Sequence, residues 1–199
     1  MGGYERNHVK RSLFNTRENR WWALLPLLAV LWHSLYTALF LHPHYLLFVC
    51  YTANFLLGLG ILWRSGLIVG MSMGWVMVAL PLWLHDAFLN KDWEPSGIAF
   101  HISGVFVGLL AFRDFRFPKG TWAAALALGL ILQGLSRMFT QEELNVNAAF
   151  RTYQGWETFF TSYSIYLFVM LVGFGAFFIF LERINHYFFF RRPVLHGRD

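Results

Sequence analysis

The chain has one cysteine among 199 residues, and charged side chains make up only 14% of it. A lone cysteine excludes an intrachain disulfide and a metal site built from cysteines alone. So small a charged fraction, set against 57% hydrophobic and 20% aromatic residues, excludes an ordinary soluble domain. Long polar stretches are lacking too. Nothing between the apolar runs is varied enough to build a separate soluble core, so residues 1–199 are expected to form one membrane domain. The net charge of +5 is carried by basic residues near the ends of apolar runs, which makes it a topology signal and gives no indication of nucleic acid.

Six apolar segments predict an all-α integral membrane protein, a six-helix transmembrane bundle: Trp21 to Leu41, His44 to Trp63, Gly66 to His85, Gly97 to Phe112, Thr121 to Ser136 and Phe160 to Leu181. The first comes after a basic run, Arg6 to Arg20. It exceeds a signal-peptide core and lacks a small-residue cleavage site, so it is expected to be retained. Gly2 and Gly3 come directly after Met1, but Asn7 stands where a myristoylation signal requires Ser or Thr, and no lipid anchor is expected.

Six spans place both termini on one side. That side collects Arg6, Lys10, Arg11, Arg17, Arg20, Arg64, Arg113, Arg116, Lys119, Arg183, Arg191, Arg192 and Arg198, against Lys91, Arg137 and Arg151 on the other. The positive-inside rule therefore makes both termini cytoplasmic. Trp21, Trp22, Trp63 and Trp122 then fall near the inner interface, and Trp83, Trp93 and Trp156 near the outer one. The C-terminal HYFFFRR, His186 to Arg192, is expected to anchor at the inner leaflet, aromatics at the interface and arginines on phosphates.

Glycines recur at small-xxx-small spacing in the third segment (Gly66, Gly70, Gly74) and the fourth (Gly104, Gly108), a pattern that lets neighbouring helices of one chain approach closely. Pro81 is expected to bend the third helix near its outer end, just ahead of Trp83, His85 and Asp86. The fifth loop, Arg137 to Phe159, is long enough to be a lid, a partner surface or a solvated connection.

The second segment carries the only cysteine. Cys50, Asn54 and Gly58 recur every four residues and share one stripe, with Cys50 about 9 Å below the outer end. On the fourth segment His101, Gly104 and Gly108 share a face at a similar depth. His33, the His85–Asp86 pair, Arg137, and His42 and His44 of the first loop gather toward the same outer surface. Ionisable groups inside a membrane are expensive, so their convergence marks a candidate site. Each also has a purely structural explanation: Cys50 as a small buried filler, Asn54 as an interhelical hydrogen-bonder, His33 and His101 as partners of carbonyls, His42 and His44 as interfacial loop residues, Asp86 as a cap or a partner of Arg137. Together they suggest chemistry. A thiol becomes a nucleophile when a base takes its proton, and histidine is the usual base at neutral pH. Cys50 with His101 supplies that pair if the second and fourth helices touch, Asn54 or Arg137 would stabilise an oxyanion, and Asp86 or His85 would orient the base. At that depth the accessible electrophile is a lipid ester.

Six spans with cytoplasmic termini, a nucleophile on the second and a histidine on the fourth resemble the androgen-induced and androgen-dependent transmembrane lipid hydrolases. Those enzymes use threonine with histidine. Their cysteine/histidine acyltransferase relatives place cysteine at the position that corresponds here to Cys50 in FVCYTANFLLGL, with His101 in AFHISG. The resemblance implies intramembrane acyl transfer or hydrolysis on phospholipids or fatty-acid esters, without metal or organic cofactor. The chain departs from the hydrolases in lacking their threonine, unless Thr52 takes that role, and in its additional outer histidines.

Two other readings compete. His42, His44, His85, Asp86 and His101 would suit zinc or copper, and His33 with His101 a haem. Alternatively the chain is a non-enzymatic subunit or assembly factor of a larger membrane complex.

Overall fold

The computed structural model describes residues 21–91 and 93–190. The Arg6 to Arg20 run, the Gly2–Gly3 start and the Arg191–Arg192 part of the proposed anchor lie outside the described residues. Within them every regular element is helical: α1 (Leu24–Phe40), α2 (Val49–Leu62), α3 (Gly66–Asn90), α4 (Pro95–Asp114), α5 (Thr121–Phe139) and α6 (Tyr163–Phe190). Among the described residues five helices are long and apolar enough to cross a membrane; α2, with 14 residues, is shorter.

The second segment differs most from its sequence-based expectation. Pro43 opens a short 3-10 helix, Pro43–Leu47, the backbone extends at Phe48, and α2 begins only at Val49. Proline favours the first position of a helix because it has a fixed φ and no N–H to satisfy. Asn147, from the distant fifth loop, then takes the Val49 N–H and the Leu47 carbonyl, groups that a continuous helix would have used internally. Cys50 is therefore the second residue of α2 and not a mid-helix residue.

Elsewhere the helices run longer than their apolar cores. Glu94 caps α4 by accepting from Ser96 N and Gly97 N at 2.7 and 2.6 Å, with Pro95 at the first helical position. The third helix continues past Asp86 to Asn90 with Pro81 inside it, and ends on Lys91 in the left-handed region at φ 55°.

Helix α3 lies at the centre, packed against α2, α4, α5 and α6, while α1 packs on α2 and α4. The main core joins Leu57 and Ile61 of α2, Val69, Met73 and Trp75 of α3, Val107 of α4 and Phe178 of α6. The glycine stripe of α3 serves this packing: Gly66 meets the Arg116 carbonyl, Gly70 the Phe117 ring and Gly74 the Phe178 ring. Large apolar side chains cover outward faces, among them Leu28, Leu35, Ile131, Phe168 and Phe180, which a bilayer would solvate.

The two ends of the bundle differ. One, here the basic end, carries Arg64, Arg113, Arg116 and Lys119 in or beside its connections. The other, the loop end, carries the first connection, the turn after α3 and the fifth loop over 140–162.

Candidate functional site

Near the loop end α2 and α4 meet at Asn54 and Gly104. Asn54 is fully buried, and a Cβ added to Gly104 would overlap its carboxamide. The two helices run in the same direction, so stepping back one turn from each contact residue reaches Cys50 on α2 and His101 on α4 at one level. Asn54 donates from Nδ2 to the Cys50 carbonyl at 3.0 Å, while its Oδ1 is buried without a partner. The stripe does not continue toward α4 beyond that point: Gly58 meets Leu27 of α1 and Ala23 just before it.

His101 is 5% exposed, its ring stacked on Trp83 of α3 at 4.9 Å and edge-on to Phe100. Cys50 packs with Tyr51, Phe100 and Ala29 in a small cluster beside the main core. Among the described residues no hydrogen bond joins the Cys50 thiol to the His101 ring: the thiol sits against the backbone N–H groups at Cys50 and Tyr51, and the ring is stacked on Trp83.

A second network sits between α1, α2 and α4. His33 Nδ1 is 2.7 Å from Ser96 Oγ and 3.4 Å from Glu94 Oε2, and its ring stacks flat on Tyr51 at 5.2 Å. The Tyr51 hydroxyl is hydrogen-bonded to Thr37. Serine, histidine and glutamate together suggest a triad, but the geometry is that of a joint. Both oxygens meet the same ring nitrogen, and the backbone N–H groups that would form an oxyanion hole are already taken by Glu94.

The fifth loop covers the loop end as a packed cap. Val146 and Ala149 are buried, and the Asn147 side chain joins Val49 N (2.8 Å), the Leu47 carbonyl (2.7 Å) and Ser136 Oγ (2.9 Å). Tyr153 and Trp156 lie against His85, whose Nδ1 is buried without a partner. Burial holds the Tyr153 phenol well above its ordinary value, and nearby Asp86 and then Cys50 push the same way. Of the three sequence-based expectations for this loop, a solvated connection is the one its packing does not match.

The predicted supporting residues are dispersed. His85 faces the loop, Asp86 accepts from Asn90 Nδ2 at 3.0 Å, and Arg137 lies 6.0 Å from the Phe150 ring. His42 contacts Tyr45, and His44 lies in the 3-10 helix. Among the described residues no group of three or more His, Cys, Asp or Glu could hold a metal ion, so the ligand set His42, His44, His85, Asp86 and His101 does not assemble. For a haem on His33 and His101, the fully buried Phe100 ring packs against both imidazoles, at 5.0 and 4.9 Å, and His33 Nδ1 is already engaged by Ser96.

Sequence reasoning missed Glu94 and Ser96 as partners of His33, and Asn147 fell only within the bounds of the fifth loop. The Glu94-Pro95-Ser96 run, a capping residue and then proline at the start of an apolar stretch, was the available signal for the first two. It also missed Glu182 and Asn185, which fasten the basic end. No family model, curated protein or solved structure matches the chain.

Proposed function

We propose that the chain is an intramembrane lipid acyl hydrolase or acyltransferase, with Cys50 as nucleophile and His101 as base. The observation that supports this reading is the Asn54–Gly104 contact, which brings α2 and α4 together one turn from a thiol on the one and an imidazole on the other. Cys50 also stands in the first turn of α2, where the helix dipole favours a thiolate.

In the proposed reaction the Cys50 proton passes to His101, and Sγ attacks the carbonyl carbon of a lipid ester. The carbonyl electron pair moves onto oxygen, then returns as the C–O bond breaks, and His101 protonates the departing alkoxide. Water or an acceptor alcohol, deprotonated by His101, then attacks the thioester. The acid or new ester leaves, and the proton returns to Sγ. Asn54, held on the Cys50 carbonyl and fully buried, acts as a positioning residue. We assign the chain six spans with cytoplasmic termini, the basic end inward and the site toward the outer leaflet. In support, Lys91, Arg137 and Arg151 are the only lysines and arginines in or beside the connections at the loop end, and the 3-10 helix Pro43–Leu47 adds length to the short α2. The partner is membrane lipid, and neither metal nor organic cofactor takes part.

A long-chain acyl probe bearing an electrophilic carbonyl tests the assignment. Cys50 is expected to be labelled in native membranes, and His101→Ala should slow labelling by about 100-fold or more, the ordinary contribution of a general base. An unchanged rate in that variant overturns the pair.

A further inference from the structure

The Asn147 side chain joins three separated segments through one carboxamide. Its Oδ1 accepts the N–H of Val49, the first residue of α2, while Nδ2 donates to the carbonyl of Leu47 just before the helix and to Ser136 Oγ on α5. The Ser136 hydroxyl is itself fixed, donating to the Leu132 carbonyl at 2.8 Å, and the residue is fully buried. The backbone of Asn147 is in the left-handed region, φ 54°, a conformation asparagine tolerates better than most residues. On either side of it, Val146 and Ala149 are buried, and the Ala148 carbonyl accepts from Gln133 Nε2 and Tyr163 OH. A helix normally draws its cap from the residue directly before it. Phe48, which precedes α2, has no side-chain acceptor to offer, so the cap is supplied from a loop nearly 100 residues away.

We propose that Asn147 is a positioning residue for Cys50: by capping α2 from the fifth loop and tying it to α5, it sets where the thiol stands and how far it is covered. The inference draws its functional meaning from the reading of Cys50 as nucleophile, but its geometry does not depend on that reading. Cys50 is one residue from the capped N–H, so fraying the first turn of α2 moves the thiol directly. The same side chain holds the fifth loop over the site, so the cap and the cover are one device.

Because Cys50 is the only cysteine, its alkylation rate by a membrane-permeant maleimide in the full-length solubilised protein reports on this position alone and requires no acyl chemistry. Asn147→Ala should raise that rate at least about fivefold, the scale of a lost cap. Asn147→Asp keeps the acceptor for Val49 N–H and should lie between it and the parent. Gln133→Ala removes a bond to the same loop without touching α2 and should leave the rate unchanged. Equal acceleration by Gln133→Ala and Asn147→Ala, or a lowered melting temperature in Asn147→Ala with an unaltered rate, overturns the proposal. If Asn147→Ala fails to fold, Asn147→Asp against Gln133→Ala decides: faster alkylation in the former alone supports it, and no difference overturns it. Loss of acyl-probe labelling with these alkylation rates intact would instead count against the proposed function.

Discussion

Asn185 at the basic end and Asn54 toward the loop end are both fully buried carboxamides in an apolar bundle, yet their surroundings are opposite. Asn185 accepts from Phe117 N at 2.9 Å and donates to the carbonyls of Phe112 and Phe115 at 3.1 and 2.9 Å. Beside it Glu182 accepts from Gly120 N and Trp122 N, capping α5, and His186 bonds the Phe117 carbonyl. These three residues recur on one face of α6 and fasten the α4–α5 connection to it. Asn54 has one intrahelical bond and an orphaned oxygen, with two reactive side chains one turn away. A polar group buried in apolar surroundings is costly unless paired. The paired end is explained by stability. The orphaned Asn54 oxygen is not, and that contrast is what marks the candidate site.

Paired alanine substitutions put the contrast to its hardest test. Asn54→Ala and Asn185→Ala remove the same atoms from fully buried positions, so their cavity terms largely cancel. Asn185→Ala strands a backbone donor and two carbonyls, and should cost about 2–3 kcal/mol more than Asn54→Ala, which also removes an orphaned acceptor. Unfolding in detergent micelles measures the difference. Equal losses would erase the distinction between the two ends. Probe labelling should reverse the order, falling in Asn54→Ala and holding in the folded fraction of Asn185→Ala.

A smaller effect is expected where α2 touches α4. Gly104→Ala sets a methyl against the Asn54 carboxamide and should cost about 1–2 kcal/mol through overpacking, while separating Cys50 from His101 and slowing labelling. The double variant with Asn54→Ala makes room for the methyl, so it should be more stable than the sum of the two single losses implies. Strict additivity would mean that the two residues do not meet.

The helical class and most helix positions were legible in the sequence because twenty-residue apolar runs admit little else in a membrane. The two small-residue stripes of the second and fourth segments were legible as faces suited to close packing; that they meet at Asn54 and Gly104 was not, because spacing within a segment does not say which segment it faces. Nor was the start of α2. HYLLF is as apolar as the residues after it, and only the side chain of Asn147 terminates the hydrogen-bond ladder there. Glu182 and Asn185 were illegible for the same reason: LERIN reads as a helix leaving the membrane, and their partners are backbone groups of a turn some sixty residues or more earlier. Periodicity reports which residues share a face. It carries no information about side chains that complete another segment's backbone.

The smallest effect concerns the cap over the loop end. At neutral pH, Tyr153→Phe removes only a long hydrogen bond, OH to the Leu82 carbonyl at 3.4 Å, so it should change stability by less than about 1 kcal/mol. The alkaline limb is where it matters. Burial raises the Tyr153 phenol above its unfolded value, with Asp86 and Cys50 adding to the shift. Its contribution is therefore fully present below the unfolded pKa, near 10, and is lost as the pH rises through the folded value. Over that range the parent should lose stability that Tyr153→Phe retains. If the loop is the cover of the site, Cys50 alkylation, corrected for the reagent's own pH dependence, should accelerate in the parent over the same interval and remain flat in the variant. Coincident profiles would mean that the phenol stays protonated without constraining the loop, and the loop end would then differ from the basic end in its pairing alone.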